Sequence, residues 1–462
     1  MRPTFWKAIR VILLIALIVF IGIQFVRPAI DNPPVTGDLV APPEVKSVLQ
    51  RACYDCHSNQ THLAWFDEPA PAYWFVAKDV HAARAVLNFS HWDSLARGQQ
   101  AASMFESIMQ IEQQAMPLSQ YTFLHHGGVI TADELAVLKH YALSLAYKAK
   151  FDSARDRAAA QQYATWISAG GADPARALAA MSTVKPEYNG IGYEQVAGWI
   201  NWQPVSTTER YDNGSLRVIL GNDVLVRAIR EGHTHPYPDG AIFAKAAYAQ
   251  NPDSAGVIRA GAFIQVEFMI RDSKKYAKTF GWGWGRWVKG LAMKPFGQDA
   301  TLVTSCMNCH RPVASTDHTF TFPIRDTAQL AEPLDGSGGW PLRSSFITSM
   351  VDTGTHTMST LYGNELAVNC ARSGVPYKPG STLTLVTWTQ REDPHWFGGR
   401  IPQRIASEEM VVYTAGGEVD YRYYAGPGMT RKVVPAGSST DRVQYITSQK
   451  ASVVPIGALA DH

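Results

Sequence analysis

The 462-residue chain predicts an α+β multidomain fold: an amino-terminal transmembrane helix, an α-helical domain, then a β-rich domain followed by a degenerate repeat of itself. Three observations predict it. Residues 1–30 hold a long apolar run, residues 44–150 place apolar positions at helical spacing, and from about Tyr193 short branched and aromatic runs alternate with Gly, Asn, Asp and Pro.

At the amino terminus, an apolar run from Val11 to Phe20 continues past Gly22 and Gln24 to Val26. With Phe5 and Trp6 as an interfacial belt it is about long enough to span a bilayer. Arg2, Lys7 and Arg10 precede it, and no A-x-A-like cleavage site follows. An uncleaved anchor is therefore expected over a cleaved signal peptide: a single pass through a bacterial inner membrane, with the soluble domains facing the periplasm. A proline-rich spacer, DNPPVTGDLVAPPEV, follows.

Residues 44–150 read as helices in EVKSVLQRACYDCHS, AASMFESIMQIEQ and TADELAVLKHYALSLAYKA, the last opening with a Thr cap and a Glu three residues on. An alanine-rich helical connector, 151–192, is broken at Gly170 and Gly171. SLRVILG, AIFAKAAYA and AFIQVEFMI are the strands of the β-rich domain, 193–325, and TLTLVTWTQ, EEMVVYT and DYRYYAG those of the repeat, 340–450.

The repeat rests on an alignment of LGNDVLVRAIREG (220–232) with YGNELAVNCARSG (362–374), continued by PYPDGAIFAKAAYAQ with PYKPGSTLTLVTWTQ. In this register Leu385 stands where Lys245 does, Ser359 where Arg217 does, and Cys370 where Ala228 does. Cys370 is thereby expected to be a small buried residue. Lys plus Arg number 42 against 40 Asp plus Glu, a net charge of +2 with no basic stripe, which argues against a nucleic-acid partner.

Four of the five cysteines fall in two C-x-x-C-H motifs, RACYDCHSN at 51–59 and SCMNCHRP at 305–312. Redox dithiols and zinc sites use C-x-x-C but need no histidine directly after it. Covalent c-type haem does, because the thiols bond the vinyl groups and the adjacent imidazole reaches the iron. Two covalently attached c-type haems are predicted, on Cys53, Cys56 and His57 and on Cys306, Cys309 and His310. The repeat has no such motif and is haemless.

Met116, in QQAMPLSQY between two helical segments, is the expected sixth ligand of the first iron, with His125, His126 and His81 as competitors. Met104 and Met109 share a helical face and are read as core. A His/Met iron is closed to substrates, so its role is electron transfer.

Residues 44–145 resemble the small haem-binding domain of bacterial membrane cytochromes, through CYDCHSN, APAYWFVAKDV, LNFSHW and the later Met-Pro. Residues 197–324 resemble the lysine-cross-linked cytochromes known as cytochrome P-460, through LRVILGND, YPDGAIFAK, VEFMIRDSKKYAKTFGWGWGRW and CMNCHRPVASTDHTFTFP. The second resemblance implies a haem with one face open and a lysine nitrogen bonded to the porphyrin rim, which here is Lys245. Strand alternation agrees, since it sets Lys245 among apolar neighbours on both faces, where a charged amine is costly. The resemblance also places Glu267 as a carboxylate and Arg217 as an arginine beside the open face.

The anchor and the two motifs predict a membrane-anchored dihaem cytochrome, and the second resemblance implies that it oxidises hydroxylamine, with or without nitric oxide, at the second haem and passes electrons through the first to a soluble or membrane acceptor. A gas-binding cytochrome without turnover and a plain electron relay are the alternatives. The family pairs as homodimers through its sheets, so the haemless repeat is expected to serve as an internal partner in a pseudo-dimer.

Overall fold

The computed structural model describes residues 3–168, 191, 193–196, 198–288, 294–295, 300–324, 345–426 and 428–452. The chain divides into two units, Met1–Ala146 and Tyr147–His462.

The first unit is helical. Helix α1, Pro3–Ile23, corrects the expected membrane anchor. Lys7 and Arg10 lie inside it and it ends before Gln24, so its apolar stretch from Val11 to Ile23 is about 20 Å long at 1.5 Å per residue, against a hydrocarbon core of about 30 Å. Among the described residues no helix is long and apolar enough to cross a membrane. The single-pass inner-membrane placement and the periplasmic orientation drawn from it fall with the anchor.

Helices α2 (Pro43–Ala52) and α3 (Tyr54–His57) break at Cys53, followed by α4 (Ala72–Val86), α5 (Arg97–Glu112), α6 (Ser119–Leu124) and α7 (Ala132–Leu145). The Thr131 hydroxyl accepts from Glu134 N–H while the Glu134 carboxylate accepts from Thr131 N–H, closing the capping box that the sequence announces. Met104 and Met109 are fully buried with Phe105 and Ile108.

In the second unit, α8 (Ser153–Ser168) covers the start of the connector; Gly170 and Gly171 lie outside the described residues. The rest is an antiparallel sheet of 12 strands. Its first half comprises β1 (Gln203–Arg210), β2 (Ser215–Gly221), β3 (Ile242–Pro252), β4 (Val257–Arg271), β5 (Trp282–Val288) and β6 (Lys294–Pro295). Its second half repeats the order with β7 (Ser345–Asp352), β8 (Thr357–Gly363), β9 (Thr382–Glu392), β10 (Gly399–Tyr413), β11 (Val419–Ala425) and β12 (Thr430–Lys432).

The halves are not successive separate sheets. β4 pairs with β7 and β10 pairs with β1, so the path β1-β2-β3-β4-β7-β8-β9-β10 closes on itself through two equivalent junctions. Each junction covers a strand edge that would otherwise be an open template for pairing.

The aligned segments 220–232 and 362–374 contain helices, α9 (Asp223–Glu231) and α11 (Glu365–Ser373). Both start on an asparagine side chain, Asn222 or Asn364, that accepts a backbone N–H three residues on, and both end on a left-handed glycine, Gly232 (φ 76°) or Gly374 (φ 65°). Cys370 is buried in α11. Helix α10, Ala300–His310, carries the second C-x-x-C-H in its last turn, and α12 is Ala436–Thr447.

Candidate haem sites

A helical turn suits C-x-x-C-H because residues three and four apart share a face. In the first motif the turn is α3 with Cys53 as its cap; in the second it is the end of α10. Among the described residues no cysteine forms a disulfide, and no group of three or more His, Cys, Asp or Glu is arranged to hold a metal ion. Burial pushes the Cys53 and Cys56 thiols up to about 12, opposite to what a redox dithiol needs. The donor set fits thioether attachment better than either alternative use of C-x-x-C.

The two histidines are prepared alike. His57 Nδ1 donates to the Leu87 carbonyl at 3.1 Å and His310 Nδ1 to the His318 carbonyl at 2.7 Å, which leaves each Nε2 lone pair available for iron. Burial lowers both imidazole pKa values, His310 to about 4, favouring the neutral ligand form. Residues 317 and 318 adopt left-handed backbone (φ 51° and 62°), and this turn aims the His318 carbonyl at His310. The turn is tied down by Tyr237 N–H to Asp317 (2.9 Å), by Trp282 Nε1 to the Asp317 carbonyl (2.9 Å) and by the His318 ring stacked on Phe280 at 4.1 Å.

In the first unit, Arg84 pins the residues after the motif through the Ser58 carbonyl (2.7 Å) and Thr61 (2.8 Å), and Tyr54 stacks on Phe89 at 5.2 Å. Met116 lies in the turn between α5 and α6 and is 36% exposed. Two of its competitors are engaged at Nε2: His125 by Asp67 at 3.0 Å and His81 by the Ala29 carbonyl at 2.9 Å. His126 begins a short 3-10 turn.

The second site is built on one face of β2 to β5. Register sets Lys245 opposite both Ile219 and Glu267, and Glu267 opposite Arg286. Lys245 Nζ pairs with Glu267 Oε2, Arg286 reaches Glu267 Oε1 at 2.6 Å and Gln265 donates to the same oxygen at 3.0 Å. Burial alone would raise the Glu267 carboxyl, but Lys245, Arg286 and Arg217 outweigh it and hold the group well below the carboxylate range. Burial lowers the Lys245 ammonium, helped by Arg217 and Arg286 and opposed by Glu267.

Arg217, on β2, is brought down to about 10 by burial and by Arg210, and its Nε is buried with no hydrogen-bond partner. Lys245 and Arg286 keep 32% and 30% of their side chains exposed, against 15% for Glu267, so the cluster opens to one side. His310 feels the charges of both Lys245 and Glu267, and Trp284 packs on its ring at 4.5 Å. A buried guanidinium Nε without a hydrogen-bond acceptor, on the sheet face that carries Lys245 and Glu267, is what a site for a polar ligand provides.

Sequence reasoning places Lys245, Glu267, Arg217 and His310 here and the structure brings them together. It missed Arg286 and Trp284. The signal was present in GWGWGRW, where two-residue spacing sends both side chains to one face of the strand. It also missed a carboxylate in the repeat: Glu409 faces Leu385 as Glu267 faces Lys245. Glu409 is buried and bonded to Arg442 Nε (2.8 Å) and Nη2 (2.6 Å) and to Tyr421 (2.6 Å). The repeat has therefore kept one element of the site's chemistry.

Comparison with known families agrees with this geometry. Residues 18–144 match the haem-binding domain family and residues 196–321 match cytochrome P460. No curated protein matches the chain.

Proposed function

For a c-type haem protein that joins a haem-binding domain to a cytochrome P460 domain, we propose two covalently attached haems, with hydroxylamine oxidised at the second and electrons carried by the first. The supporting observation is the gathering of Lys245, Glu267, Arg286 and Arg217 on one sheet face, with Lys245 and Glu267 within electrostatic range of His310. Haem held by Cys306, Cys309 and His310 supplies one-electron redox chemistry there.

The protein groups divide the remaining work. Lys245 would be the lysine that bonds the porphyrin rim, as the cytochrome P460 match suggests. Bonding would remove its ammonium charge from Glu267, so the carboxyl would rise toward its ordinary range and become a better base. Glu267 Oε2 then takes a proton from the N–H or O–H of hydroxylamine while Arg286 holds Oε1 in place. Arg217 Nε donates to the substrate oxygen and orients it. Nitric oxide is a second small nitrogen species proposed for the same site. At the first site His57 and Met116 are the proposed iron ligands, and an external acceptor takes the electrons.

Intact-mass analysis should find two haem additions, with attachment at both motifs in peptide maps; a single addition contradicts the dihaem reading. With a soluble dye as acceptor, Glu267→Gln should lose on the order of 10²-fold in hydroxylamine oxidation while keeping its absorption spectrum. An undiminished rate returns Glu267 to a structural role. A second reading, binding of nitric oxide without turnover, draws on the Lys245–Glu267 ion pair, which occupies the lysine nitrogen that a cross-link needs.

A further inference from the structure

The loop joining β9 to β10, residues 393–398, is six residues long against four, 253–256, between β3 and β4. The longer loop belongs to the haemless half, yet it lies against the haem-bearing half. Tyr211 and Asp212 N–H groups donate to the Gly398 carbonyl at 3.0 and 3.3 Å, which docks the loop on the β1–β2 turn. Trp396 sits under the Arg210 guanidinium, 3.9 Å from the ring centroid, and its Nε1 donates to Asp212 at 3.3 Å. Arg210 is in turn held by Asp212, with Nε to Oδ1 at 2.8 Å.

From this anchored position the loop reaches toward His310 in two contacts. The Trp396 ring meets Phe320 edge-on at 5.5 Å, and Phe320 meets His310 edge-on at 4.9 Å. Beside it, His395 stacks on Phe322 at 4.2 Å and its Nδ1 approaches the Phe320 carbonyl at 3.4 Å. The segment thus clamped, 318–322, is the one whose His318 carbonyl accepts from His310 Nδ1.

We propose that the haemless half supplies positioning residues to the haem site, Trp396 and His395, which hold residues 318–322 so that the His318 carbonyl keeps its hydrogen bond to His310. The inference rests on the proposed haem at His310. A strong Nδ1–H···O bond raises the basicity of an axial imidazole and so stiffens its bond to iron. Loosening the clamp should weaken that bond without touching a ligand, a thioether or a substrate-facing group.

The test is resonance Raman of the ferrous holoprotein. Trp396→Leu should shift the iron–histidine stretch of the second haem to lower frequency, and Trp396→Phe, which keeps a ring on both Phe320 and Arg210, should restore it. If Trp396→Leu does not fold, His395→Ala carries the same expectation through Phe322. An unshifted stretch in a folded variant with haem attached overturns this inference alone. Absence of haem from Cys306 and Cys309 in the unmodified protein would instead sink the proposed function beneath it.

Discussion

Lys245 and Leu385 occupy the same place in the two halves of the sheet, each opposite a glutamate, and the two glutamates differ in where their cations come from and in what covers the face around them. Glu267 is neutralised by Lys245 and Arg286 from its own sheet, and the cluster stays partly open. Glu409 is neutralised by Arg442 from α12, and the face around Leu385 is filled by Trp166 of α8 and Ile446 of α12. Where leucine stands in place of the lysine, a helix covers the face and supplies its own cation. A strand carboxylate shared by both halves is therefore not a site by itself; the cation beside it and the space above it make the site.

The largest effect should come from separating the halves. A fragment spanning 190–330 leaves the edges of β1 and β4 without β10 and β7, so it should aggregate or self-associate in sedimentation experiments. A stable monomeric fragment would mean that the junctions are incidental. Next is Leu385→Lys, which puts an ammonium among Trp166, Ile446 and Val411 with Glu409 already satisfied by Arg442. It should cost about 2–4 kcal/mol in denaturant unfolding, and a neutral result would show that the covered face tolerates the open face's chemistry.

Glu409→Gln should cost about 1–2 kcal/mol, because Arg442 is 39% exposed and partly rehydrates, and it should leave hydroxylamine turnover unchanged. A matching loss of turnover in Glu409→Gln and Glu267→Gln would erase the functional difference between the halves.

The smallest effect is a pH dependence in the loop 393–398. Burial raises the Asp393 carboxyl from 3.8 to about 6, against opposing backbone hydrogen bonds from His395 and Trp396. The folded state then binds this proton more tightly than the unfolded chain, so stability should fall as pH rises from about 4 to about 6 and level off above. The full shift would correspond to about 3 kcal/mol, and the partial exposure of Asp393 reduces this to on the order of 1–2 kcal/mol. Asp393→Asn should flatten the melting temperature over this window; an unchanged slope assigns it to other groups.

Much of this comparison was legible in the sequence, because strand patterns, glycine positions and the C-x-x-C-H motifs are local signals. SLRVILG became β2 without adjustment, and Lys245 announced itself as a charge among apolar strand neighbours. Helices α9 and α11 were less visible because their branched residues mimic strands, although Asn222 and Gly232 mark the ends of α9. The anchor was misjudged because apolar length was counted without asking where the helix would stop. Arg442 and Trp396 were beyond reach, since each acts on residues far away in the chain and no local pattern encodes which loop or helix will cover a given face.

The central contrast is between a lysine proposed to face a haem and a leucine under a helix, and the ferrous absorption spectrum tests it most directly. The unmodified protein should show a strongly red-shifted Soret band from the second haem. Lys245→Leu, which copies the residue of the haemless half, should keep both haems attached and lose that band together with hydroxylamine oxidation. A variant with an unaltered spectrum and turnover would contradict the assignment of Lys245.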